Sequence, residues 1–156
     1  MRNILSVLVE NEAGVLARIS GMFSRRGYNI ESITVGESEV PGLSRMVIVT
    51  NIEDVEQIQK QLHKLINTIK VTNLSDLSYV DRELALIKVS TRINRGEIIE
   101  IANLFRARII DVADDALIIE AIGDNEKINA LIQILKPFGI KEVSRTGTIA
   151  MIRGKK

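Results

Sequence analysis

Apolar and polar positions along the chain spell out one pattern twice. Residues 3–9 (NILSVLV) are mostly apolar and predict a buried strand. A polar break follows at residues 11–14. Val15, Leu16, Ile19, Met22 and Phe23 then recur at the spacing of an amphipathic helix that lays one face on a sheet. Gly27 supplies a helix stop, because glycine enters the left-handed region without a Cβ clash. Residues 28–36 predict a second strand, Pro41-Gly42 a turn, and residues 43–50 (LSRMVIVT) a third strand. Asp54 is placed to cap a second helix carrying Val55, Ile58, Leu62, Leu65 and Ile66, and residues 68–74 give a fourth strand. A polar stretch at residues 76–81 reads as a linker. The order then repeats: a strand at 83–89 (ELALIKV), a helical stripe of Ile98, Ala102 and Phe105, and strands at 108–112 and 116–122 around the turn pair Asp114-Asp115. Asp124 is placed to cap a helix with Ile128, Leu131, Ile132 and Leu135, which Pro137 and Gly139 end before a strand at 140–145.

A β-α-β-β-α-β order written twice predicts an α+β protein of two ferredoxin-like domains, residues 1–76 and 80–156. Each would be a four-stranded antiparallel sheet with two helices on one face. A domain of that size is near the limit at which one core suffices. Its open sheet face and edge strands need cover, so a homodimer is expected. In this fold the second strand lies at a sheet edge, where it can meet the same edge of a second copy.

Composition narrows the chemistry. The chain has 156 residues, 46% hydrophobic and 26% charged, an ordinary globular balance. The net charge of +1 gives no electrostatic reason to expect nucleic acid or an anionic membrane. There is no cysteine, which removes disulfides, thiolate metal sites and thiol nucleophiles. No run of about 18 apolar residues suggests a transmembrane helix. Met1-Arg2-Asn3 runs straight into the first strand and does not read as a signal peptide, so a cytoplasmic location is expected. Aromatic residues make up only 3%, leaving the core to isoleucine, valine and leucine, whose branched members favour strands.

Two segments are candidates for binding. The loop at residues 10–14 (ENEAG) joins a strand end to a helix start, where free amides can hold a carboxylate. Gly14 lets a ligand approach the backbone, and the Asn11 amide offers both a donor and an acceptor. The alternative is that Asn11 caps the turn. Asn29, at the entry to the second strand, could reach the loop of a partner copy, or could simply end the turn after Gly27. His63, the only histidine, sits on a helix with no metal-spaced companions and reads as a solvated residue. Arg25 suits a solvated helix C-terminus; Arg26, Arg106, Arg108 and Arg145 could meet carboxylates of a partner protein or stand at solvated helix ends in the same way. No phosphate-binding glycine loop, serine elbow or paired-carboxylate site is present, so no catalytic residue is assigned.

Three other function classes share parts of this pattern. An amino-acid-responsive transcription factor would need a DNA-binding module, and no helix-turn-helix fits in the remaining residues. An RNA-recognition module stacks bases on strand aromatics, and residues 43–50 and 116–122 contain none. A small ferredoxin-fold enzyme would need catalytic groups that one histidine and no cysteine do not supply.

The strings ILSVLVENEAGVLARISGMFSRRGYNIESITVG (4–36), GLSRMVIVT (42–50) and QLHKLINTIKV (61–71) resemble the ACT domain of acetohydroxyacid synthase small subunits. VDRELALIKV (80–89), NLFRARIIDV (103–112) and LKPFGIKEVSRTGTIAMIRG (135–154) resemble that family's C-terminal domain, with Asp81 in place of an expected glutamate. The resemblance covers essentially the whole chain. It implies a regulatory subunit with no activity or cofactor of its own. Its partner would be a catalytic subunit using thiamine diphosphate, Mg²⁺ and FAD to make acetolactate or acetohydroxybutyrate for valine, leucine and isoleucine biosynthesis. It also implies activation of that partner and feedback inhibition by valine, held between two ACT domains. Carried over to this sequence, the effector site would use Asn11 and Gly14 with Asn29 of the second copy. Ala13, Val15, Leu16 and Ile30 would form its walls.

Overall fold

The first apolar run forms β1 (Arg2–Glu10), in which alternate residues serve two different faces. Leu5, Val7 and Val9 point to the side covered by helices, while Ile4 points the opposite way. A strand flanked on both faces by protein needs apolar residues at successive positions, which is why this segment reads as a nearly continuous apolar run. The computed structural model describes residues 2–154. They divide into two compact units, residues 2–80 with 148–154, and residues 81–147.

In the first unit, β1 is followed by α1 (Val15–Arg25), β2 (Ile30–Glu37), β3 (Leu43–Asn51), α2 (Val55–His63) and β4 (Thr68–Asn73). The sheet order is β2-β3-β1-β4 with antiparallel neighbours, so β2 is an edge strand as the fold requires. The inner core joins Leu5, Val7, Met46 and Ile48 of the sheet to Ile19, Met22 and Phe23 of α1 and Ile58 and Leu62 of α2. Asp54 caps α2 as expected, its carboxylate accepting from the Gln57 amide at 3.1 Å. That helix ends at His63. Leu65 packs on the core from the turn beyond it, and Ile66 is 85% exposed rather than part of the helical stripe.

One element escaped the sequence pattern. After residue 147 the chain forms β9 (Ile149–Ile152), which pairs with β5 and packs on the outer face of the first sheet. Ala150 and Ile152 close a second small core over Ile4, Val47, Val49 and Leu74. The Thr148 hydroxyl accepts from the Arg2 guanidinium at 3.2 Å, and its carbonyl accepts from the Thr34 hydroxyl at 3.4 Å. Part of the cover expected from a partner is therefore supplied within the chain, because burying these apolar side chains locally already removes them from water.

The second unit repeats the order with β5 (Tyr79–Ser90, whose first two residues belong to the first unit), α3 (Arg95–Leu104), β6 (Arg108–Val112), β7 (Ala116–Gly123), α4 (Asn125–Leu135) and β8 (Ile140–Arg145). Its sheet runs β6-β7-β5-β8, and β5 begins at Tyr79, inside the polar stretch that reads as a linker. Ala85, Ile87, Leu117 and Ile119 face Ile98 and Ala102 of α3 and Ile128 and Leu131 of α4. Arg145 on β8 is held by the buried Glu83 on β5, with its Nε 2.9 Å from the carboxylate, and by the Asn129 amide oxygen at 2.8 Å.

Asp124 caps α4, accepting from the Lys127 amide at 2.9 Å. Asp124→Ala leaves that donor without its acceptor and should cost about 1 kcal/mol of stability, whereas Asp124→Ser should retain most of it. Urea unfolding followed by circular dichroism checks the difference; equal midpoints for the two variants would show that the cap contributes nothing.

Candidate functional site

The β1–α1 loop is held down from two sides. The Asn11 amide donates to the Gly42 carbonyl at 2.9 Å, and the Glu10 amide donates to the Asn67 carbonyl at 2.9 Å. The buried Asn67 side chain donates to Glu10 Oε2 at 3.4 Å and Glu12 Oε2 at 3.3 Å, and its oxygen accepts from the Arg18 guanidinium. A loop joined at four places across the α2–β4 and β2–β3 turns is preorganised, which lowers the entropy a ligand must overcome.

The loop delivers the chain into α1 with no side-chain cap. The N-cap position is Gly14, at φ +84°, and a Cβ added there would meet nothing within 4 Å. The helices α2, α3 and α4, by contrast, are capped by Asp54, Asn94 and Asp124. The first-turn amides of Leu16 and Ala17 have no acceptor among the described residues, while the Val15 amide reaches Glu12 O at 3.4 Å and the Arg18 amide reaches Gly14 O at 3.0 Å. Unsatisfied amides at a helix N-terminus carry partial positive charge and attract a carboxylate. Asn11 does not cap the helix; its side chain stands exposed beside Ala13 and Gly14. Val15 is buried in the core, and Leu16 is 46% exposed.

Asn29 and Ile30 lie at the other end of the sheet. Ile30 pairs with Thr50, and the Asn29 carbonyl accepts from the Thr50 hydroxyl at 2.8 Å, whereas Glu10 pairs with Leu43. From position 43 to position 50 of β3 is seven residues, about 24 Å of strand. Within one protomer, then, the structure groups Asn11, Ala13, Gly14, Val15 and Leu16 but keeps Asn29 and Ile30 apart from them. The Asn29 side chain is exposed, while Ile30 is half-buried against the core.

Sequence reasoning missed Asn67 and Arg18 as braces of this loop. No local pattern connects positions 49 to 57 residues apart, and a polar residue between a helix and a strand reads only as a turn. His63 is exposed at the end of α2, and Arg25 lies in the last turn of α1. Arg145 serves the second unit through Glu83 and Asn129. Among the described residues no three His, Asp or Glu side chains cluster as a metal site would require, and no helix is long and apolar enough to cross a membrane.

Comparison with known proteins covers nearly the whole chain. A profile described as "AHAS small subunit-like ACT domain" matches residues 5–70, and one described as "Small subunit of acetolactate synthase" matches residues 82–154. The chain is 52% identical to a probable acetolactate synthase small subunit of Methanothermobacter thermautotrophicus, covering 99% of this chain and 94% of that one. It is 51% identical to the acetolactate synthase small subunit of Bacillus subtilis, covering 99% and 92%. The crystal structure of the small subunit from Thermotoga maritima superposes with a TM-score of 0.91 at 43% identity, covering 100% of this chain and 99% of that one. The two-domain α+β architecture, the ACT type of the first domain and these full-length matches place the chain in the family of acetolactate synthase small subunits, the regulatory and non-catalytic component of that enzyme of branched-chain amino-acid biosynthesis.

Proposed function

We propose that this chain binds the catalytic subunit of acetolactate synthase in the cytoplasm, raises its activity, and makes it sensitive to valine bound between two copies of the first unit. The observation that carries the effector reading is the uncapped start of α1 beneath the open space over Gly14. The Leu16 and Ala17 amides would receive the valine carboxylate, with Asn11 beside them. Leu16 and, on β2, Val35 are large apolar side chains left about half exposed, suited to a small branched side chain and to a dimer contact.

Strand geometry supports the shared site. β2 has β3 as its neighbour in the sheet and leaves its other edge open. If two copies join through β2 in antiparallel fashion, the start of one β2 lies beside the end of the other. That end leads into the β2–β3 turn, whose Gly42 carbonyl holds the Asn11 amide. The 24 Å gap within one protomer is thereby closed by Asn29 of the partner subunit. Because the pocket spans two chains, valine would favour one dimer arrangement over another, and the catalytic subunit would respond to that shift. The catalytic subunit would carry thiamine diphosphate, Mg²⁺ and FAD. One methylene changes such discrimination by only about 1–3 kcal/mol, so leucine and isoleucine would act as weaker effectors.

The test is reconstitution. Purified catalytic subunit mixed with this chain should form acetolactate faster than alone, and valine should reverse most of the gain. An absence of stimulation rejects the partner, whereas stimulation with no response to any branched-chain amino acid rejects the effector.

A further inference from the structure

On the opposite face of the first sheet from α1, β9 roofs a cleft of about 330 Å³, at the small end of the range for ligand pockets. Its floor is built by strand register. Leu8 of β1 is paired with Arg45 of β3 on one side and Lys70 of β4 on the other, and one step along, Ser6 is paired with Thr72. Direct cross-strand neighbours stand about 5 Å apart at Cβ, so two cationic side chains flank one leucine, with two hydroxyls in the next row. Ala150, Met151 and Ile152 form the roof.

Charge decides what such a cleft takes. Arg45 is partly engaged: it donates to Glu39 at 3.3 Å and to the Ser6 hydroxyl at 3.4 Å. The Glu39 carboxyl is held below its ordinary range, first by its own backbone amide and then by Arg45, so it stays ionised at neutral pH. Lys70 has no acceptor among the described residues, leaving one uncompensated positive charge in the cleft. One positive charge, two hydroxyls and an apolar floor and roof match a small monoanion with oxygen next to its carboxylate and a short alkyl body. We infer that this cleft is a second small-molecule site, for a 2-oxo or 2-hydroxy carboxylate, separate from the α1 loop. The carboxylate would meet Lys70 and the free edge of Arg45, the neighbouring oxygen would meet Ser6 and Thr72, and the alkyl group would lie on Leu8 beneath Ile152.

Calorimetric titration of the full chain with pyruvate and with 2-hydroxyisobutyrate, in a chloride buffer, tests this. Saturable binding with Kd on the order of 1 mM is expected. Lys70→Gln should weaken it about tenfold, Lys70→Arg should restore it, and Thr72→Val should weaken it less than Lys70→Gln. Binding should persist in Asn11→Ala and in the presence of excess valine, which separates this site from the effector site. Absence of saturation, an unchanged Kd in a folded Lys70→Gln variant, an equal response to phosphate, or loss of binding in Asn11→Ala would each overturn the inference.

Discussion

Phe23→Ala should destabilise the first unit by about 3–5 kcal/mol, the range for removing a fully buried aromatic side chain without full collapse of the space. Phe23 is 1% exposed and lies where α1 meets the sheet, among Ile19, Met22, Met46 and Ile48. Its ring meets Tyr28 edge-on, with centroids 6.4 Å apart at 74°, a geometry that adds about 0.5–1.5 kcal/mol beyond area burial. The chain makes this measurable. It has no tryptophan, and both of its tyrosines, Tyr28 and Tyr79, belong to the first unit. Tyrosine fluorescence during urea unfolding therefore reports that unit alone, and its midpoint should fall while the slope stays similar. A loss below about 1 kcal/mol would mean that the ring is not the anchor of α1 described above.

The second large effect concerns the effector. Gly14→Asp should raise the valine concentration for half-inhibition of the reconstituted enzyme at least about tenfold, equivalent to 1.4 kcal/mol. Gly14 is the N-cap of α1, and the space over it is open. An aspartate there would place its own carboxylate on the Ala17 amide, three residues on, as Asp54 and Asp124 do on their helices, and would repel an incoming carboxylate. The backbone angle of +84° strains any side chain, although aspartate tolerates that region better than most. Asn11→Ala removes hydrogen bonds to a charged group, worth about 1.5–3 kcal/mol, without touching the amides. Stimulation of the catalytic subunit should persist within about twofold in both variants, since neither alters the core. Acetolactate formation measured against valine concentration gives the answer; two variants as valine-sensitive as the parent chain would remove the loop from the site.

The fold was largely legible because its strands and helices carry different apolar periods. The stripe Val15, Ile19, Met22 and Phe23 is the buried face of α1, and Asp54 and Asp124 mark the helix starts where they stand. What stayed hidden depends on distant partners. β5 extends back to Tyr79 through residues that look like a linker, where β9 pairs with it and the Arg153 amide donates to the Ser78 carbonyl at 2.9 Å. Asn67 braces a loop more than fifty residues away, and nothing adjacent to it announces that role. Leu65 and Ile66 kept the helical spacing past the last turn of α2, where the chain had already turned. For the candidate effector loop, spacing alone favoured capping over binding for Asn11. The resemblance favoured binding, and the geometry adds that α1 is capped by nothing but a glycine.

The closing of the outer core by β9 has a consequence for biosynthesis. Arg2 meets Thr148 across a separation of 146 residues, and Ile4 shares its core with Ala150. A nascent chain leaves the ribosome from the other end, so β1 is in solution long before the strand that shields its outer face exists. Until residues 149–152 emerge, Ile4, Val47 and Val49 have no lid of their own. The first half of the polypeptide made is thus among the last to be finished, and the interval of synthesis is when it most needs protection from aggregation.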